Sequence, residues 1–197
     1  MNKNSKLHRA IFWALSLTWG LPITIIGMIV FAGLCVFGHK PKRFGFCFYI
    51  PIGECWGGLE FGPIFLVDKY EDYSVMCHEH GHGFQNIILG PLFPVLVSLR
   101  SGARYWLREI RSYTGKVIFT TILSIVLFVV STPILVAGCM QPNVSLIVIG
   151  AILVIYAVFF TVWLSRETCR HKNTYPDYDN FWVEGNATRV GEKFMSK

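Results

Sequence analysis

The sequence predicts a mainly α-helical integral-membrane bundle with a small β-hairpin ahead of a histidine-rich helix. Two observations carry that class. Of the 197 residues, 53% are hydrophobic and only 15% are charged, against roughly 25% charged in ordinary soluble domains. The chain also holds two long stretches free of Asp, Glu, Lys and Arg, residues 10–38 and residues 117–164. A membrane span needs about 20 apolar residues. The second stretch is therefore two spans, 117–140 and 144–164, joined by the turn Gln141-Pro142-Asn143. The mean hydropathy of +0.47 agrees. This composition excludes a disordered chain, a collagen-like chain and an ordinary soluble domain.

The elements follow in order. Residues 10–38 form a first span, kinked at Gly20 and Pro22. The basic residues Lys3, Lys6 and Arg9 precede it as in a signal peptide. The apolar run is too long for a signal h-region, which predicts a retained anchor. Residues 44–51 and 57–67 are aromatic or β-branched and punctuated by glycine and proline. They predict short strands arranged as a hairpin. A helix begins near Tyr73 or Ser74 and runs to Leu89, where Gly90-Pro91 and Pro94 interrupt it. That leaves 84–99 as a re-entrant or partial span. Arg100, Arg104, Arg108 and Arg111 recur every three or four residues among aromatic and aliphatic ones, which predicts an amphipathic helix at the lipid interface. Residues 181–195 form a last helix, with Asp177, Asp179 and Asn180 available as caps. The expected organisation is a single domain over residues 1–197, with site segments at 73–89 and 181–195.

The net charge is +6. In a soluble chain this would point to nucleic acid. Beside apolar spans it points to membrane topology and anionic lipid, so no nucleic-acid partner is expected. Six cysteines occur without a C-x-x-C pair, which argues against a disulfide framework or a cysteine zinc site.

The chemistry is concentrated in His78-Glu79-His80-Gly81-His82, which fits H-E-x-x-H. Positions i and i+4 of a helix lie about 40° apart in projection, so His78 and His82 face one ion together. Glu79 is offset enough to act as a base without being a ligand. Two imidazoles with an open position suit Zn²⁺. His80 points to the opposite side, where it is a bystander or supports the site indirectly. A hydrolytic zinc site needs a third protein ligand. The candidates downstream are Glu109, Glu167, His171, Asp177, Asp179, Glu184 and Glu192. Glu184 is favoured because it lies in an aromatic, apolar setting, shares a helix face with Thr188, and precedes the small Ala187, which allows close packing on the metal helix. The strand from Gly58 to Val67 is a candidate substrate strand, with Leu59, Phe61 and Ile64 as its residues; an ordinary hairpin is the alternative. Tyr73, Tyr175 and Tyr178 are candidate oxyanion stabilisers.

His78-Glu79-x-Gly81-His82, followed far downstream by Glu184-x-x-Ala187, resembles the gluzincin pattern of membrane zinc proteases such as the CAAX prenyl proteases and the HtpX-type quality-control proteases. The wider set of Trp56 to Pro63, His78 to Gln85, Leu89-Gly90-Pro91-Leu92, and Trp182, Glu184, Ala187 and Gly191 resembles a group of small bacterial membrane proteins. That group carries H-E-x-G-H-x-x-Q-x-x-x-L-G-P-L and a late W-x-E-x-x-A-D-x-x-G. The resemblance covers residues 56–99 and 181–191. It implies a zincin-like membrane metallopeptidase with His78, His82 and Glu184 on zinc and Glu79 as base. Thr188 stands where the pattern has Asp, the residue implied to orient a zinc-binding histidine; a hydroxyl there accepts the same hydrogen bond without charge.

The two site segments must meet, so an even number of crossings separates them. Treating 84–99 as re-entrant places residues 39–83, 100–116 and 165–197 on one face. Lys40, Lys42, Arg43, Lys69 and Lys116 make that face cytoplasmic. Lys3, Lys6 and Arg9 conflict with this if residues 10–38 cross once, and a site at mid-membrane is the alternative. The resulting expectation is a zinc endopeptidase of a bacterial cytoplasmic membrane, its site near the cytoplasmic face. It would act on membrane-associated proteins or peptides; the oligomeric state is not readable. The rival is a degenerate or non-enzymatic metal-binding membrane protein acting as an interaction, sensing or immunity partner.

Overall fold

A computed structural model describes residues 5–174 and 181–196. Asp177, Asp179 and Asn180, proposed as caps or ligands, and Tyr175 and Tyr178, proposed near the oxyanion, lie outside the described residues. The chain packs into two compact units. Among the described residues, one comprises 5–101 and 181–196, the other 102–174.

The first unit is helical with a small sheet. Helix α1 (Lys6–Leu17) is capped by Ser5, whose hydroxyl accepts from the His8 amide, and α2 (Leu21–Val36) follows. The segment 10–38, expected as one kinked span, forms these two helices, bent by 97°, a pair that is a broken span or a re-entrant loop by length and composition. Gly20 marks the break. A β-carbon there would lie 2.5 Å from Asn86 Nδ2, so this stretch presses on a neighbouring helix, and Pro22 starts the new one. The sheet holds β1 (Lys42–Phe44), β2 (Cys47–Pro51), β3 (Gly58–Glu60) and β4 (Ile64–Val67), in the order β1-β2-β4-β3. The hairpin expectation is corrected to a four-stranded mixed sheet. β1–β2 and β3–β4 are antiparallel, whereas β2 and β4 run parallel.

Ile64 is not on a free edge. It begins the inner strand β4, paired with Phe48, and is buried. Leu59 is on the edge strand β3 and half exposed; Phe61 follows that strand and packs under α2, where a β-carbon on Gly27 would meet it at 2.5 Å. Glu60, on the inward side of β3, accepts the Gly62 amide hydrogen, and burial pushes its carboxyl well above the ordinary range.

Helix α3 (Tyr73–Leu89) is capped by Asp72, whose carboxylate accepts from the amides of Ser74 and Val75 at 2.7 and 3.2 Å. It is one continuous helix. Residues 84–99 comprise its last six residues, a 3₁₀ turn (Gly90–Leu92) and a π turn (Pro94–Ser98), where the chain bends by 112° as in a broken span or a re-entrant loop. Helix α4 (Leu99–Glu109) follows. Helix α7 (Trp182–Met195) closes the unit; its N-cap position is Phe181, which supplies no capping side chain. The core gathers Phe12, Phe46, Tyr49, Phe65, Phe84 and Phe194 between α1, the sheet, α3 and α7.

The second unit is the rest of α4 with α5 (Tyr113–Met140) and α6 (Val144–Arg170). These two helices cover the segments 117–140 and 144–164 that were expected as spans and run several residues further at the charged end. Ser112 and Asn143 cap them. Their contact relies on small residues: a β-carbon on Gly150 would lie 2.5 Å from Leu135 Cα. Both are long and apolar enough to cross a membrane, and the number of possible spans rises to four if α1–α2 and the bent pair Tyr73–Leu92 with Pro94–Glu109 each count as one.

The arginine periodicity of α4 divides in three dimensions. Arg104 is buried and pairs with Glu167 at 2.8 Å. Breaking a buried pair leaves one charge uncompensated, at a cost of about 3–5 kcal/mol, whereas replacing both by apolar groups is near neutral. Arg104→Ala is expected to lower the thermal unfolding midpoint in detergent by that equivalent, and Arg104→Met with Glu167→Met is expected to recover most of it; circular dichroism melts check both.

Candidate metal centre

The site rests on how closely α3 and α7 approach. A β-carbon on Gly81 would lie 2.0 Å from the Ala187 carbonyl oxygen, and one on Gly191 would lie 1.8 Å from the Cys77 carbonyl oxygen. Any side chain at either position would push the helices apart. Ala187, fully buried, occupies the crossing itself. The contact carries Glu184 to within reach of histidines that lie about a hundred residues earlier.

His78 Nε2, His82 Nε2 and Glu184 Oε2 form a near-equilateral triangle with all three edges at 3.1 Å. Their side chains are 13%, 8% and 0% exposed, so the triangle opens to solvent chiefly past His78. They form a metal-competent His/Cys/Asp/Glu group among the described residues.

The hydrogen bonds behind the rings fix where the protons are. The Thr188 hydroxyl donates to the Glu184 carbonyl oxygen at 3.2 Å. Its only proton is thereby used, so it accepts from His78 Nδ1 at 2.8 Å. The Gln85 amide nitrogen donates to the Val183 carbonyl at 2.8 Å and to Asn186 Oδ1 at 3.2 Å. That turns Gln85 Oε1 toward His82 Nδ1, 2.8 Å away, as acceptor. Both imidazoles therefore carry a proton on Nδ1 and aim Nε2 inward. Two nitrogen lone pairs and a carboxylate oxygen at 3.1 Å repel one another unless positive charge sits among them. The arrangement is one that positive charge among the three atoms stabilises.

Glu79 is buried and lies against β3. A β-carbon on Gly58 would sit 2.6 Å from Glu79 Oε1, so the absent side chain is the space the carboxyl occupies. Glu79 is within electrostatic range of His78 and Glu184. His80 takes no part. It is fully buried among Phe12, Phe44, Phe46, Phe84 and Phe194, and its Nε2 accepts the Phe46 amide hydrogen at 3.1 Å. It ties α3 to the sheet. Among the other ligand candidates, Glu167 is committed to Arg104, and His171 Nδ1 pairs with Thr174. Tyr73 is exposed, and its ring meets that of Phe44 edge-on with centroids 5.7 Å apart.

The sequence assigns no part in the centre to Gln85, Asn186 or Gly58, although Gln85 stands in the histidine motif and Gly58 begins the candidate substrate strand. Gln85 had a signal: it lies three residues after His82, on the same helical face. Asn186 and Gly58 become visible only when separate segments meet.

No protein-family model, curated protein or solved structure matches the chain. The reading of the centre therefore stands on its donor atoms and their hydrogen-bonded support.

Partners behind ligand histidines typically contribute 10–100-fold in metal affinity. Thr188→Val and Gln85→Ala are each expected to weaken divalent-metal binding by about that factor, and Thr188→Asp is expected to retain or strengthen it. Competition with a chromogenic chelator measures all three.

Proposed function

We propose that the protein is a zinc-dependent, membrane-embedded metalloendopeptidase of gluzincin-like type, acting on peptide bonds of membrane-associated proteins or peptides. The observation that carries this reading is the 3.1 Å triangle of inward-facing donors with both Nδ1 protons held from behind. Zinc bonds of ~2.0–2.2 Å at near-tetrahedral angles separate ligand atoms by about 3.3–3.6 Å, a few tenths of an ångström more than these edges. The donor set of two imidazoles and one carboxylate is also that of catalytic rather than structural zinc sites.

His78, His82 and Glu184 would hold the ion, which when bound supplies Lewis acidity and an acidified water. Glu79 takes the proton from the attacking water and returns it to the departing amine; its carboxyl is confined by Gly58 and shielded from bulk solvent. Thr188 and Gln85 keep the imidazoles in the tautomer that leaves Nε2 free. The edge strand β3, with Leu59 half exposed, offers backbone groups to an extended peptide, with Phe61 beside it.

The proposed location is a bacterial cytoplasmic membrane with the site near its cytoplasmic face; the apolar helices support the first part, and Lys40, Lys42, Arg43 and Lys69 around the sheet support the second through the positive-inside rule. A second reading is a metal-binding protein without catalysis, serving as an interaction, sensing or immunity partner. The neutral Thr188 and the narrow opening past His78 favour it.

Zinc content and cleavage of a membrane-protein panel separate the two. Glu79→Gln is expected to keep zinc and lower the cleavage rate by at least about 10²-fold; Glu184→Ala is expected to lower zinc occupancy. Wild-type protein without zinc under metal-replete conditions overturns the metal site, and wild-type protein with zinc but no cleavage selects the second reading.

A further inference from the structure

We propose that the charged end of the α5–α6 hairpin binds the headgroups of anionic phospholipids, on observations independent of the peptidase reading. Residues 117–165 contain no Asp, Glu, Lys or Arg, and the turn joining the two helices is uncharged. Every such residue of this unit lies at the opposite end.

Contacts gather that end into one structure. Arg104 of α4 pairs with Glu167 of α6. Lys116 of α5, buried, donates to the carbonyls of His171 at 2.6 Å and Thr174 at 3.1 Å. Lys172 lies 5.3 Å from the centroid of the Tyr113 ring. Lys116 thus offsets the negative C-terminal end of the α6 dipole, which would otherwise repel an anion.

Arg104, Lys116 and Glu167 are occupied inside the fold. Arg108, Arg111, Arg166, Arg170 and Lys172 remain exposed around them, with Glu109 the one exposed acid among the described residues of the unit. The aromatic rings at this end are also exposed: Trp106 by 55%, Tyr105 by 42% and Tyr113 by 38%. Aromatic side chains of this kind settle at the headgroup level of a bilayer.

The helices under this collar explain why the anion is a lipid. Only 17% of the most apolar window of each is buried, so their flanks present hydrocarbon-compatible surface directly beneath the cations. A phosphodiester with acyl chains satisfies both surfaces at once; inorganic phosphate satisfies only the first. Each basic side chain near an anionic membrane surface contributes about a fivefold preference.

The test uses the intact protein in vesicles of phosphatidylcholine with increasing phosphatidylglycerol. Brominated forms of each lipid quench tryptophan fluorescence, which gives their relative association constant. The wild type is expected to prefer phosphatidylglycerol by at least about fivefold, with the preference shrinking at about 0.5 M NaCl. Arg166→Gln with Arg170→Gln and Lys172→Gln is expected to bring the ratio toward one while far-UV circular dichroism is unchanged. Should that variant lose its helices, Arg166→Gln alone is expected to give a partial fall. Equal association of both lipids with the wild type overturns the proposal. So does an unchanged ratio in a folded variant. Displacement of phosphatidylglycerol by millimolar inorganic phosphate, beyond a chloride control of equal ionic strength, also overturns it by showing a site for free anion.

Discussion

The backbone-to-backbone approach of α3 and α7 is the constraint on which the centre depends. Carbonyl oxygens of Ala187 and Cys77 occupy the space where β-carbons at Gly81 and Gly191 would stand. Glycine inside a helix costs about 1 kcal/mol of propensity relative to alanine, and here that loss is offset by a contact no other residue permits. The approach brings Glu184 beside two imidazoles and puts Thr188 behind one of them. Gln85 then bonds across to the Val183 carbonyl and to Asn186, so a ring that must be oriented is held by the same bonds that lock the helices together.

Legibility in the sequence followed how local each determinant is. Helices α5, α6 and α7 were readable because apolar length or helical spacing is written in consecutive residues. The same holds for the facing of His78 and His82. The choice of Glu184 was readable because Ala187 and Thr188 share its turn. The sheet was less so: the parallel pairing of β2 with β4 depends on β3 being set outside both, and a one-dimensional pattern of strands and glycines reads equally as a hairpin. That ambiguity is why Ile64, an inner-strand residue, was grouped with Leu59 at the edge. The break between α1 and α2 was signalled by Gly20 and Pro22, but the close approach of Asn86 of α3 to Gly20 was not, since it joins residues far apart in the chain. For His80, helical projection gave the direction; the aromatic cluster waiting there is assembled from α1, β1, α3 and α7 and from the turn before β2.

Arginine in this protein serves two physical ends from one periodic pattern. The spacing on α4 is that of an amphipathic surface, yet Arg104 is withdrawn into the unit by Glu167 while Arg108 stays exposed. Charge periodicity reports which residues share a face; whether a carboxylate waits opposite is decided some sixty residues later in the chain. Withdrawn cations fix the helices to one another, and exposed ones leave positive charge on the surface of this end.

The 97° break between α1 and α2 has a mechanical consequence for the bilayer. With 16 residues, α2 measures about 24 Å at 1.5 Å per residue, roughly 6 Å less than a typical ~30 Å hydrocarbon core. A helix of that length cannot bring both of its ends to the headgroups of an undeformed bilayer. Placed across a bilayer, it would either compress the lipid around it or stay within part of the core's depth. Compression costs fractions of a kcal/mol per Å of mismatch. Under compression, membrane thickness would become an elastic load on the unit that holds the His–His–Glu triangle, heavier in thick membranes than in thin ones.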